Sequence, residues 1–107
     1  MTRVFVTQVP ARLAEGVWTP TVDLQPARDH GEIIILLPSG VGFATPDEPL
    51  AALRGKLADF NVKRDFLLPM GDPMLMVIAA ALLAPRFRLL RWDRRAHKYY
   101  PTIINVA

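Results

Sequence analysis

At 107 residues, with 51% of them hydrophobic and 21% charged, the chain is the size of one domain and has enough apolar side chain to build a core, which excludes a disordered protein. It contains no cysteine, so a disulfide framework and a thiolate metal site are both excluded. The net charge of +3 is concentrated: residues 86–98 hold Arg86, Arg88, Arg91, Arg94, Arg95 and Lys98 against Asp93 alone, a local balance of +5.

Arg3 to Val9 is rich in β-branched residues and reads as a strand ending at Pro10. It has neither the long apolar run nor the small-residue cleavage site of a secretion signal. Residues 10–31 carry Pro10, Gly16, Pro20, Pro26 and Gly31 and show no sustained period. They read as a long loop with a short extended piece at Trp18 to Leu24, tied down by Val17, Trp18 and Leu24. Glu32 to Leu37 has five consecutive large apolar residues, the pattern of a parallel strand at the centre of a sheet with both faces covered. Pro38 to Gly42 breaks it.

Thr45, Pro46 and Glu48 then predict a helix capped by Thr45, with Leu50, Leu53, Leu57 and Phe60 on one stripe and an end near Asn61. Asp65 to Met70 reads as a second buried strand. Gly71 makes a turn, Asp72 caps, and Pro73 opens a helix that is uncharged from Met74 to Ala84 and stopped by Pro85. A helix apolar on every side is expected to be enclosed by the fold. It is shorter than the roughly 20 residues that cross a membrane, so the expectation is a soluble cytoplasmic protein without membrane contact. Phe87 to Trp92 is a third strand, Arg94 to His97 a turn, and Lys98 to Val106 a returning strand that Pro101 marks as an edge.

The expected fold is therefore a single α/β domain over residues 1–107. A strand-helix-strand-helix-strand unit forms a parallel central sheet with right-handed crossovers, extended by an N-terminal strand and a C-terminal β-hairpin. Two helices on one face would leave the other to residues 10–31 or to a second copy of the chain, which is the argument for a homodimer.

Ligands of open parallel sheets bind beyond the carboxyl ends of the strands. Here that rim comprises Ser39, Gly40, Gly42, Thr45, Gly71 and Asp72, the candidates for a small-molecule or nucleotide site. The Ser-Gly-Val-Gly run lacks the Gly-x-Gly-x-x-Gly spacing and a Walker lysine. Asp47, Glu48 and Asp72 already occupy the positive helix ends and oppose a phosphate there. His30 and His97 have no paired spacing, no catalytic constellation is visible, and no metal or cofactor is expected. Met70, Met74 and Met76 read as core filler. The strongest surface feature is the basic hairpin, in which Arg88, Arg91, Arg94, Arg95 and Lys98 alternate with Trp92 and Tyr99. Charge for a backbone and rings for bases is the combination used on single-stranded nucleic acid; the competing reading is a solvated edge hairpin whose charges block aggregation.

Several stretches resemble a family of short proteins of tailed bacteriophages and prophages whose function is unassigned. They are Val4 to Pro10, His30 to Ile34 leading into Leu36 to Gly40, Leu53 to Phe60, Met70 to Pro73, and Phe87 to Arg94 with Tyr99 to Pro101. The resemblance implies a phage origin and a host-cytoplasm location, and it supplies no catalytic residues. With no catalytic constellation, the leading expectation is a non-enzymatic binding protein acting through protein contacts on a host or phage replication or defence component. Nucleic-acid binding by the hairpin and small-molecule binding at the rim are the alternatives.

Overall fold

A computed structural model describes residues 1–107. Strand β1 spans Arg3–Gln8, β2 Ala11–Ala14 and β3 Val17–Pro20; a 3-10 helix covers Gln25–His30. Strand β4 follows at Glu32–Leu37, helix α1 at Asp47–Lys56, β5 at Phe66–Leu68, α2 at Pro73–Leu83, β6 at Arg86–Asp93 and β7 at Lys98–Asn105. The main sheet has the order β4-β1-β5-β6-β7. Its first four strands are parallel, and β7 runs antiparallel to β6.

The expected α/β architecture holds, but the strands are arranged differently. β4 is an edge strand and β1 lies at the centre, inserted between β4 and β5. Five apolar residues in a row report two covered faces, not two paired edges. In β4 even the coverage is partial, since Leu36 and Leu37 are buried while Ile35 stays half in solvent. β1, with its less regular pattern, is buried from Val4 to Gln8 because it has strands on both sides and packing on both faces.

Residues 10–31 also differ from the long loop expected. Glu15 (φ 51°) and Gly16 (φ 77°) form the two-residue turn of a small hairpin joining β2 to β3. Val17 is exposed, and Trp18, also outside the core, lies against Gly40, where a Cβ would meet its ring at 2.5 Å. The anchors are Ala27, fully buried on the 3-10 helix, and Leu24, packed beside it. His30 closes that helix and its Nε2 donates to the Tyr99 carbonyl at 3.0 Å, tying it to β7.

Both helices lie on one face, over Phe5, Leu36, Leu67 and Phe87. The 3-10 segment covers the other, over Val4, Val6, Phe66, Leu68 and Leu90. Helix α1 starts at Asp47 after Pro46, with no side-chain cap, so Thr45 does not cap it, and it ends at Lys56 rather than Asn61. Phe60, beyond the helix, still packs on Phe5 with ring centroids 5.1 Å apart. Helix α2 has the predicted start: the Asp72 carboxylate accepts from Met74 N–H at 2.9 Å. It is not enclosed. Leu75, Ala79 and Leu83 are buried, but Val77 is 68% exposed and Ala81 faces solvent.

Candidate functional site

The main-sheet order places the switch point, where successive connections leave in opposite directions, between β1 and β5. A crevice of about 350 Å³ sits beyond the carboxyl ends of these strands. Gly40, Gly42, Gly71 and Asp72 line it with Gln8, Val9, Pro10, Ala11 and Val41. Ser39 and Thr45 are not among its walls; the Ser39 hydroxyl donates to the Val9 carbonyl at 2.7 Å.

The polar groups of this crevice are engaged with one another. Gln8, almost fully buried, donates from Nε2 to the carbonyls of Pro38 (3.0 Å) and Val41 (2.9 Å) and accepts at Oε1 from Asp72 N–H (3.1 Å). One amide thus joins the loops that follow β4 and β5. Thr7 adds a second tie, its hydroxyl accepting from Met70 N–H and donating to the Met70 carbonyl. Gly71, at φ +87°, packs so closely on Gln8 that a Cβ would stand 2.7 Å from its side chain and its carbonyl. Gln8 is the residue that sequence reasoning missed: a glutamine at a strand end carries no local signal, and its partners lie 30 to 64 positions away. The rim is built as a brace between loops, and its one carboxylate caps α2.

The hairpin β6–β7 distributes its basic residues by the two-residue period of a strand. Arg88 and Trp92 share the 3-10 side with buried Leu90 and with Tyr99, which pairs with Trp92. Arg91 and the Asp93–Lys98 pair lie on the helix side, with Phe87 and Leu89. Arg88 is committed within the fold: its guanidinium lies 4.0 Å from the Phe66 ring centroid and donates to the Arg64 carbonyl. Arg91 lies over Tyr100 at 5.3 Å. Arg94 and Arg95 stand in the turn, whose shape is held by Asp93 accepting from the N–H groups of Arg95 and Ala96. The seven residues do not form one basic stripe. Trp92 and Tyr99 come together, with ring centroids 4.9 Å apart, and the His97 ring lies 6.1 Å from Trp92.

A third feature lies beside α2. Helix α1 packs on β4, α2 on β1, and the two on each other. Beyond α2 a groove of about 400 Å³ opens over β5, β6 and β7. Met76, Val77 and Ala80 form its helix wall, Leu67, Phe87, Leu89 and Ile104 its sheet wall, and Pro69 one end. It has no charged or hydrogen-bonding side chain.

A model of the family described as phage Pam3 gp32-like protein matches residues 2–106. The chain belongs to that family. Searches of curated proteins and of solved structures returned no match. The crevice, the hairpin and the groove all lie within the span shared with the phage Pam3 gp32-like family. The phage resemblance read from the sequence is thereby shown. No helix is long and apolar enough to cross a membrane, and no three His, Asp or Glu side chains converge as a metal cluster would require.

Proposed function

We propose that this phage protein is a non-enzymatic binding protein that acts in the host cytoplasm through protein contacts. The contact surface is the apolar groove beside α2, and its occupant is a second copy of the chain. The observation that carries this reading is the exposure of Val77 on a helix with no charge along its length, next to a groove with wholly apolar walls. Exposed contiguous apolar surface of this kind marks an interaction site.

The patch joins a helix wall, Met76, exposed Val77 and Ala80, to a sheet wall, Phe87, Leu89 and Ile104, so one copy offers both halves of an apolar contact. A two-fold axis sets the helix wall of each copy against the sheet wall of the other, and such isologous contacts are the commonest in homo-oligomers. No charged side chain stands on the walls themselves. The groove, rather than the face behind the 3-10 helix, now supports the dimer: Ala27 and Leu24 already cover that second face.

Light scattering on a sizing column across a concentration series tests this. The expected mass is twice that of the 12.0 kDa chain. Val77→Glu is expected to run as a single chain with an unchanged circular-dichroism spectrum, because the side chain already points to solvent. A wild-type mass of one chain at every concentration overturns the proposal.

A further inference from the structure

The largest cleft of the molecule lies on the opposite face, and neither the rim nor the helix groove includes it. It has a volume of about 600 Å³, within the range of small-molecule sites. Trp92, His97 and Tyr99 of the hairpin form one side; Thr21 and Asp23, which precede the 3-10 helix, stand across from them with Met70 beyond β5. Trp92 is held edge-to-face by both neighbouring rings, at 62° to Tyr99 and 79° to His97, yet 42% of it is open to solvent. An oriented and exposed tryptophan is a stacking platform.

The polar groups around it are few and placed apart. Asp23 is the only carboxylate of the cleft. Burial, and then the Asp23 charge, push the Tyr99 phenol up, so it keeps its proton at neutral pH and can donate. Arg94 and Arg95, both exposed and neither in an ion pair, stand outside this cleft: with Asp93 and Tyr100 they line a neighbouring depression of about 400 Å³ that shares Trp92 with it. These two cations oppose a cationic ligand and favour one with a negative end.

We infer that the cleft binds a nucleotide unit, with the base stacked on Trp92, its N–H edge toward Asp23, and its phosphate reaching past Trp92 to Arg94 and Arg95 in the neighbouring depression. Rings for the base and cations for the backbone are how sequence-tolerant sites hold unpaired nucleotides. With Arg88 and Arg91 engaged elsewhere, the footprint is one or two phosphates rather than a long track. Stacked duplex bases cannot enter such a cleft.

The test follows Trp92 fluorescence in Trp18→Phe protein, where Trp92 is the sole tryptophan, together with amide shifts of Asp23, Met70 and His97 in the unmodified chain. The probes are AMP, GMP, adenosine, ribose 5-phosphate, single-stranded oligothymidylate and a DNA duplex. The expected result is saturable quenching, with shifts at those amides, by the mononucleotides or the single strand, and none by ribose 5-phosphate. Saturation by mononucleotides as tightly as by the strand assigns a free nucleotide as the source, and response to the strand alone assigns single-stranded nucleic acid. Trp92→Ala is expected to weaken binding, read by the amide shifts, roughly tenfold or more, the effect of losing one base–ring stack. Arg94→Ala with Arg95→Ala lowers affinity for the phosphate-bearing probes and flattens their salt dependence, leaving adenosine unchanged. The inference is overturned by no response to any base-containing probe at low salt, by ribose 5-phosphate matching AMP, or by duplex binding as tightly as the single strand.

Discussion

Arg3 and Asp65 form a charge pair at the amino ends of β1 and β5. The Asp65 carboxylate is fully buried and accepts from Arg3 N–H (3.0 Å), from the Arg3 guanidinium (2.9 Å) and from Asn61 N–H (2.9 Å). Burial alone pushes this carboxyl up. The bonds from Asn61 and Arg3 outweigh it and hold the group below the usual carboxylate range. An aspartate in an unfolded chain titrates near pH ~3.9. Since the folded group titrates lower, its contribution to stability is complete above that value and is lost as pH falls through the folded one. Asp65→Asn is therefore expected to be less stable than the parent at neutral pH, by about 2 kcal/mol. The gap should narrow as pH is lowered below about 4. Urea unfolding midpoints against pH measure this; a gap constant to pH 2 would show that the charge is not what Asp65 contributes. Gly71 makes a second residue-scale case. Its φ of +87° and its contact with Gln8 both exclude a side chain, so Gly71→Ala is expected to lose about 1–3 kcal/mol in the same assay. Gly71 is one of the rim candidates, and a substitution there reports on folding.

At the scale of elements, two helix starts looked alike in sequence and differ in fact. Asp72 accepts from Met74 N–H, whereas no side chain caps α1 and Pro46 occupies the cap position. Asp72→Ala is expected to cost about 1 kcal/mol, and Thr45→Ala to stay within about 0.5 kcal/mol of the parent. Thermal or urea unfolding of both variants decides it, and equal losses would contradict the assignment. The contrast explains what was legible. Helix α2 was readable because Asp72, Pro73 and Pro85 mark its ends with purely local chemistry. Its partial exposure was not, because an uncharged sequence carries no record of whether the chain has anything left to cover it. Glu32–Leu37 was readable as a strand but not as an edge strand, since hydrogen-bonded neighbours leave no trace in side-chain polarity. The β2–β3 hairpin escaped because its strands are four residues long and turn at Glu15–Gly16 rather than at a strong turn pair. The aromatic cleft was half visible: Trp92 and Tyr99 were named, but Thr21, Asp23 and Met70 join them only through the fold.

Across the whole molecule, stability should be graded outward from β1. Val4, Phe5, Val6 and Thr7 are buried to within 1%. They pair with β4 on one side and β5 on the other, with both helices on one face and the 3-10 helix on the other. Opening their amides requires separating both core clusters, which is nearly the global unfolding reaction. The β2–β3 sheet is the opposite case. Its two strands pair only with each other, and all their side chains but Ala11 are exposed. Trp18 resting on Gly40 adds one contact to a hairpin that is marginal by itself. Native-state hydrogen exchange is expected to rank the amides accordingly. Those of Val4 to Val6 should exchange slowest, with a free energy that falls with denaturant as steeply as global stability does. Those of Arg12 to Thr19 should exchange orders of magnitude faster, with almost no denaturant dependence, because little surface is exposed when the hairpin opens. Protection of the hairpin equal to that of β1 would mean that the two sheets unfold as one unit and that the β2–β3 hairpin is held by more than Trp18.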